Sequence, residues 1–110
     1  MKKTLTLLSS IILFSSSVTA SPSKWTGLVD ITELYPAAQG MVVRLDYSDK
    51  SVSTCDYGTR FLISSTSDNY SVKVSTLISA FMANKKINAA YDPDQDANCE
   101  AHINRFIVPR

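Results

Sequence analysis

The sequence predicts a mainly β domain, a small barrel of five strands with one helix between the third and fourth. Three observations predict it. Apolar and polar residues alternate in several short runs, as in half-buried strands. The period changes once, between Tyr70 and Ala83, to that of a helix face. The chain is also short enough to hold a single modest core, and it carries two cysteines that can brace it.

The first element precedes the domain. Met1-Lys2-Lys3 is a positive lead, Leu5 to Phe14 is apolar but diluted by serine, and Ser15 to Ala20 is a run of small residues. Val18 and Ala20 stand three and one positions before Ser21, as a signal peptidase requires. The expectation is a signal peptide over 1–20, cleaved after Ala20, and a secreted or periplasmic domain over 21–110. The apolar run is well short of the roughly 20 residues that span a bilayer, and no cysteine sits at the cut to take a lipid. Cleavage removes Lys2 and Lys3 and moves the formal charge from +1 to −1. A near-neutral surface carries no electrostatic footprint for nucleic acid or for an anionic membrane.

Trp25 to Tyr35 reads as the first strand, with Trp25, Gly27, Val29, Ile31 and Tyr35 on one face and Asp30 and Thr32 on the other. Pro36 to Gly40 is a turn. Met41 to Tyr47 alternates, with Met41, Val43, Leu45 and Tyr47 inward and Arg44 and Asp46 outward. Arg60 to Ser64 is the third strand. Tyr70, Val74, Leu77, Ile78 and Phe81 then recur at helical spacing, with Asp68 as a candidate cap and Asn84-Lys85-Lys86 as the stop, although Tyr70, Val72 and Val74 also alternate as in a strand. Lys86 to Tyr91 and Ala101 to Val108 are the last two strands, and Pro109 ends the final one.

Cys55 and Cys99 both belong to the exported part, where an even cysteine count favours a disulfide. No C-x-x-C pair suggests redox work, so the bond is read as structural.

Three strands, a helix and two strands is the order of the OB-fold barrel. Strand order does not fix pairing, and other small antiparallel folds share the string. Lys24-Trp25-Thr26-Gly27, Phe61-Leu62-Ile63, Leu77-Ile78-Ser79-Ala80-Phe81 and Lys86 to Tyr91 resemble the binding subunits of the subtilase-cytotoxin and typhoid-toxin group. The resemblance covers most of the exported part as layout. It implies an OB-fold, a five-membered ring and a sialylated-glycan ligand; no sugar-contacting residue of that group aligns here.

Catalytic and metal chemistry find little support. Asp92, Asp94, Asp96, Asn98 and Glu100 alternate like calcium ligands, but the glycine and the distal glutamate of a calcium loop are missing, and a solvated turn is the simpler reading. His102 is the sole histidine, too few for a zinc site once the cysteines are paired. No G-x-S-x-G elbow or glycine-rich phosphate loop occurs. The chain is therefore read as a non-enzyme without cofactor or metal. Tyr57 is the aromatic residue most clearly set in a polar loop, beside Asp56 and Arg60. An aromatic face flanked by carboxylate and guanidinium groups suits stacking on a sugar or a peptide, so Tyr57, Asp56 and Arg60 are the candidate ligand-binding residues. Two roles follow: a glycan-binding subunit, self-associating as a ring beside a co-encoded protein, or an interaction or inhibitor module with a protein partner.

Overall fold

A computed structural model describes residues 23–110. The expected signal segment and its cleavage point lie outside them. The strands are β1 (Lys24–Val29), β2 (Ile31–Ala37), β3 (Gly40–Leu45), β4 (Arg60–Ser64), β5 (Ile87–Tyr91) and β6 (Ala101–Ile107), and the helix α1 (Tyr70–Met82) lies between β4 and β5. They form one mixed sheet in the order β1-β5-β6-β4-β3-β2. All ladders are antiparallel except the short β4–β6 contact, where Phe61 and Leu62 run parallel to Ala101 and His102.

This corrects the expected five-stranded OB-fold barrel. The sheet is open, ending on β1 and β2, and is not closed into a barrel. The physical reason lies in the first predicted strand. The chain from Trp25 to Tyr35 divides at Asp30 and changes partner there, β1 running along β5 and β2 along β3. β1 and β2 share no ladder, and the strand order leaves each of them at one end of the sheet. The predicted face is corrected as well. A register shift between Trp25 and Leu28 breaks the alternation, which leaves Trp25 and Leu28 exposed while Val29 enters the core.

Elsewhere the periodicity reads through. Met41, Val43 and Leu45 face inward beside Phe61 and Ile63 of β4. Leu77 and Ala80 of α1 cover this face, joined by Ile87, Ala89 and Tyr91 of β5 and by Ala101 and Ile103 of β6. Tyr47, Phe61 and Tyr91 form an aromatic cluster at its centre, with ring centroids 5.6–6.2 Å apart. Val42 and Leu62 point to the other face and are also fully buried, so β3 and β4 are covered on both sides.

The helix starts where the pattern places it, but Asp68 is not its cap. Asn69 takes that position at φ 56°, without a side-chain bond to the helix. The C-terminus is a Schellman closure. Asn84 adopts φ 54°, its N–H donates to Phe81 O at 3.1 Å, and Lys85 N–H donates to Ala80 O at 2.8 Å. Ile78 and Phe81, expected on the buried face, remain partly exposed, because the helix presents a wider apolar arc than the sheet covers.

Candidate functional site

Two long connections, 46–59 after β3 and 92–100 after β5, meet at one end of the sheet. Cys55 and Cys99 are bonded there, with Cα atoms 4.7 Å apart and a separation of 44 in sequence. Backbone bonds run alongside the bridge. Thr54 N–H donates to Asn98 O at 2.8 Å, Asn98 N–H to Val52 O at 3.1 Å, and Cys55 N–H to Cys99 O at 3.3 Å. Ser53, fully buried, donates its hydroxyl to Arg60 O at 2.7 Å. A buried hydroxyl without such a partner would cost about 1–3 kcal/mol, so this bond helps pin the loop.

Asp49 organises the other side of the same loop. Its carboxylate accepts from Ser51 N–H (3.1 Å), from the Ser51 hydroxyl (2.5 Å) and from the Tyr91 hydroxyl (2.5 Å), with the Lys24 ammonium at 3.6 Å. Tyr91 gives its proton to Asp49, so Tyr47, whose oxygen lies 2.6 Å away, donates to Tyr91. Burial alone raises the Asp49 carboxyl, but the bonds from Ser51 and Tyr91 and the charge of Lys24 outweigh it and hold it below its ordinary 3.8. Burial, then the bond to Asp49, push the Tyr91 hydroxyl well above its usual range.

Between these anchors the chain makes a tight turn, Asp56–Gly58. Asp56 and Tyr57 both adopt left-handed backbone, φ 52° and 59°. Asp tolerates this region, whereas a bulky tyrosine rarely does. Gly58 follows at φ 86°, where an added Cβ would come within 2.9 Å of Lys50 N. Three successive residues with positive φ reverse the chain sharply, and Tyr57 stands at the apex with 84% of its surface exposed.

The three predicted site residues share this turn but do not share a role. Asp56 Oδ2 receives Arg60 Nε at 2.6 Å and Arg60 Nη2 at 2.5 Å, and the Asp56 bond raises the Arg60 guanidinium above its ordinary value. Arg60 Nη1 also reaches Cys99 Sγ at 3.3 Å. Both groups are thus occupied in fixing the turn to the disulfide, leaving Tyr57 as the free member. Arg44, opposite Arg60 across the sheet, donates to Glu33 at 2.9 Å. Its Nε lies 3.7 Å from Asp56 and is the buried side-chain atom left without a hydrogen bond among the described residues.

Beside the ring lies an open depression of about 530 Å³, lined by Lys50, Ser53, Thr54, Asp56, Tyr57 and Gly58. Lys50 and Thr54 were not legible as site residues, because only the folded loop brings them to Tyr57. The 92–100 loop is braced by its own side chains. Asp94 N–H donates to Asp92, while the Gln95 amide exchanges two bonds with the His102 backbone. Among the described residues, no group of three or more His, Cys, Asp or Glu side chains is placed to hold a metal.

Compared with known proteins, the chain matches no protein-family model, no curated protein and no solved structure. The resemblance to the subtilase-cytotoxin and typhoid-toxin binding subunits is therefore overturned, since the open sheet lacks the barrel and no sequence or fold match supports that group.

Proposed function

We propose that the chain is an exported, non-catalytic binding domain whose recognition surface is the disulfide-clamped turn bearing Tyr57, and that it takes a sugar ring against the tyrosine face. One observation carries the reading: a bulky residue is held in left-handed backbone at the tip of a cross-braced turn, almost wholly exposed. Backbone strain of this kind costs on the order of 1–3 kcal/mol and persists where the surroundings over-determine it. A side chain that contributes nothing to the core gains no stability from such a posture, whereas recognition gains a rigid, presented ring. An aromatic face with two rotatable bonds loses little entropy on stacking. Lys50 and Thr54 supply donors at the rim of the depression, and the Lys50 ammonium forms no ion pair among the described residues.

The non-catalytic part rests on the same geometry. Asp56, the carboxylate at the depression, receives Arg60 at Oδ2 and is thereby committed to holding the turn. Export rests on the Lys2-Lys3 lead, the short apolar run and the Val18-x-Ala20 ending. Intact mass of the secreted product should begin at Ser21, and a retained Met1 in membrane fractions would overturn that part. The binding part is tested by a glycan array followed by titration of hits by NMR. Tyr57→Ala should abolish binding and shift only signals of the 46–59 loop, whereas an array without hits, or hits indifferent to Tyr57→Ala, would refute it.

A further inference from the structure

Trp25-Thr26-Gly27 plays no part in the Tyr57 surface, and its structure is unusual for an outer strand. In a regular strand Trp25 and Leu28, three positions apart, would point to opposite faces. Here one extra residue is inserted between them. Trp25 lies opposite Ala90 and Leu28 opposite Asn88, two apart on β5, so both side chains share the outer face. The bulge is stitched in place. Gly27 N–H donates to Asn88 Oδ1 at 3.0 Å, Ala89 N–H donates to Thr26 Oγ1 at 3.1 Å, and the Thr26 hydroxyl donates to Gly27 O at 2.7 Å. Gly27 adopts φ 76°, which a side chain would oppose. Bulges held in this way commonly re-aim a side chain.

What is re-aimed completes a patch. On β6, Arg105 lies opposite Ala90 and Ile107 opposite Asn88. Two rows cross the sheet on one face: Trp25, Ala90, Arg105, then Leu28, Asn88, Ile107. The Arg105 guanidinium lies over the Trp25 ring at 5.2 Å, above a fully buried Ala90. Leu28 is 58% and Ile107 52% exposed. Arg105 forms no ion pair among the described residues, and the two rows contain no acidic side chain. The patch is apolar, preorganised by a cation–π contact, and carries one uncompensated positive charge.

We infer that this outer face of β1, β5 and β6 docks an extended segment of another protein that places a carboxylate on Arg105 and apolar side chains on Leu28 and Ile107. Charge selects the occupant. A second copy docking face to face would add a second uncompensated guanidinium to the contact and no carboxylate to meet either. An anionic membrane calls for clusters of about 4–8 basic residues, not one. Geometry selects the form, since the two rows are separated by two residues, about 7 Å, which equals the spacing of alternate side chains in an extended chain. Trp and Arg are the residues most enriched at the energetic centres of protein interfaces.

Selection from a random peptide library displayed on phage, with the purified protein as bait, tests the inference. Enriched peptides should carry Asp or Glu two positions from Leu, Ile or Phe. As synthetic peptides they should lose at least tenfold in affinity against Arg105→Ala and against Leu28→Ser, and retain affinity against Tyr57→Ala. Circular dichroism checks that each variant is folded. No enrichment, a consensus without acid, or changes under twofold in both folded variants overturns the inference. Binding to vesicles of anionic lipid that Arg105→Ala abolishes, without peptide binding, assigns the patch to a membrane and overturns it equally.

Discussion

Replacing Tyr57 by glycine and by alanine separates strain from packing. Tyr57 sits at φ 59°, ψ 28°, where an L side chain costs about 1–2 kcal/mol. Glycine releases that strain but adds about 0.4–1 kcal/mol of unfolded-chain entropy. The ring is 84% exposed and has little packing to lose. Tyr57→Gly should therefore stabilise the domain by roughly 0.5–1 kcal/mol, a rise in Tm of about 2–8 °C. Tyr57→Ala keeps the Cβ and the strain, so it should change stability by less than about 0.5 kcal/mol. Urea denaturation of the three proteins reads both numbers. Sugar binding should vanish in both variants, so that the stabler protein is the inactive one, as expected where function holds strain in place. A loss above about 1 kcal/mol in Tyr57→Ala would mean that the ring packs on the domain. An unchanged or lowered midpoint in Tyr57→Gly would mean that the turn stores no strain, and either result refutes the reasoning.

The bridge between Cys55 and Cys99 closes a loop with a sequence separation of 44. Reducing it, or making the Cys55→Ser, Cys99→Ser pair, should cost about 4 kcal/mol in the chain-entropy treatment, read by denaturant midpoint; a loss under about 1 kcal/mol would show that the backbone bonds hold the loops unaided. Gly58→Ala, which forces a Cβ to within 2.9 Å of Lys50 N at φ 86°, should destabilise by about 2 kcal/mol or more and move the loop's amide signals. Tyr91→Phe removes the hydroxyl donated to Asp49 and should cost about 1.5–3 kcal/mol at pH 7, the range for hydrogen bonds to charged groups. The folded Asp49 carboxyl titrates below 3.8, so between those values the unfolded chain binds more protons. The Asp49 contribution is whole above about pH 4 and is lost as pH falls through the folded value. Stability measured from pH 5 to pH 2 should fall more steeply in the native protein than in Asp49→Asn, and parallel curves would exclude this carboxylate as the cause.

Local chemistry determined much of this protein without a structure. The alternation from Met41 to Leu45, the Arg60–Ser64 strand and the helical period from Tyr70 all depend on residues near in sequence. The pairing of Cys55 with Cys99 followed from there being no other choice. Tyr57 was legible as a loop aromatic because polar neighbours surround it, although its left-handed backbone was not. What only the tertiary structure decided are the contacts between distant segments. A single bulged residue at Thr26-Gly27 brings Trp25 onto the same outer face as Leu28, and the side chain that holds it, Asn88, lies 61 positions away. The division at Asp30 sends β1 and β2 to different partners and leaves the sheet open, because pairing depends on which strands meet and not on their order. Asp56 and Arg60 looked like ligand groups by composition, yet at hydrogen-bond distance they satisfy each other. Composition identifies charges, but only position decides whether their partner is the protein or something outside it.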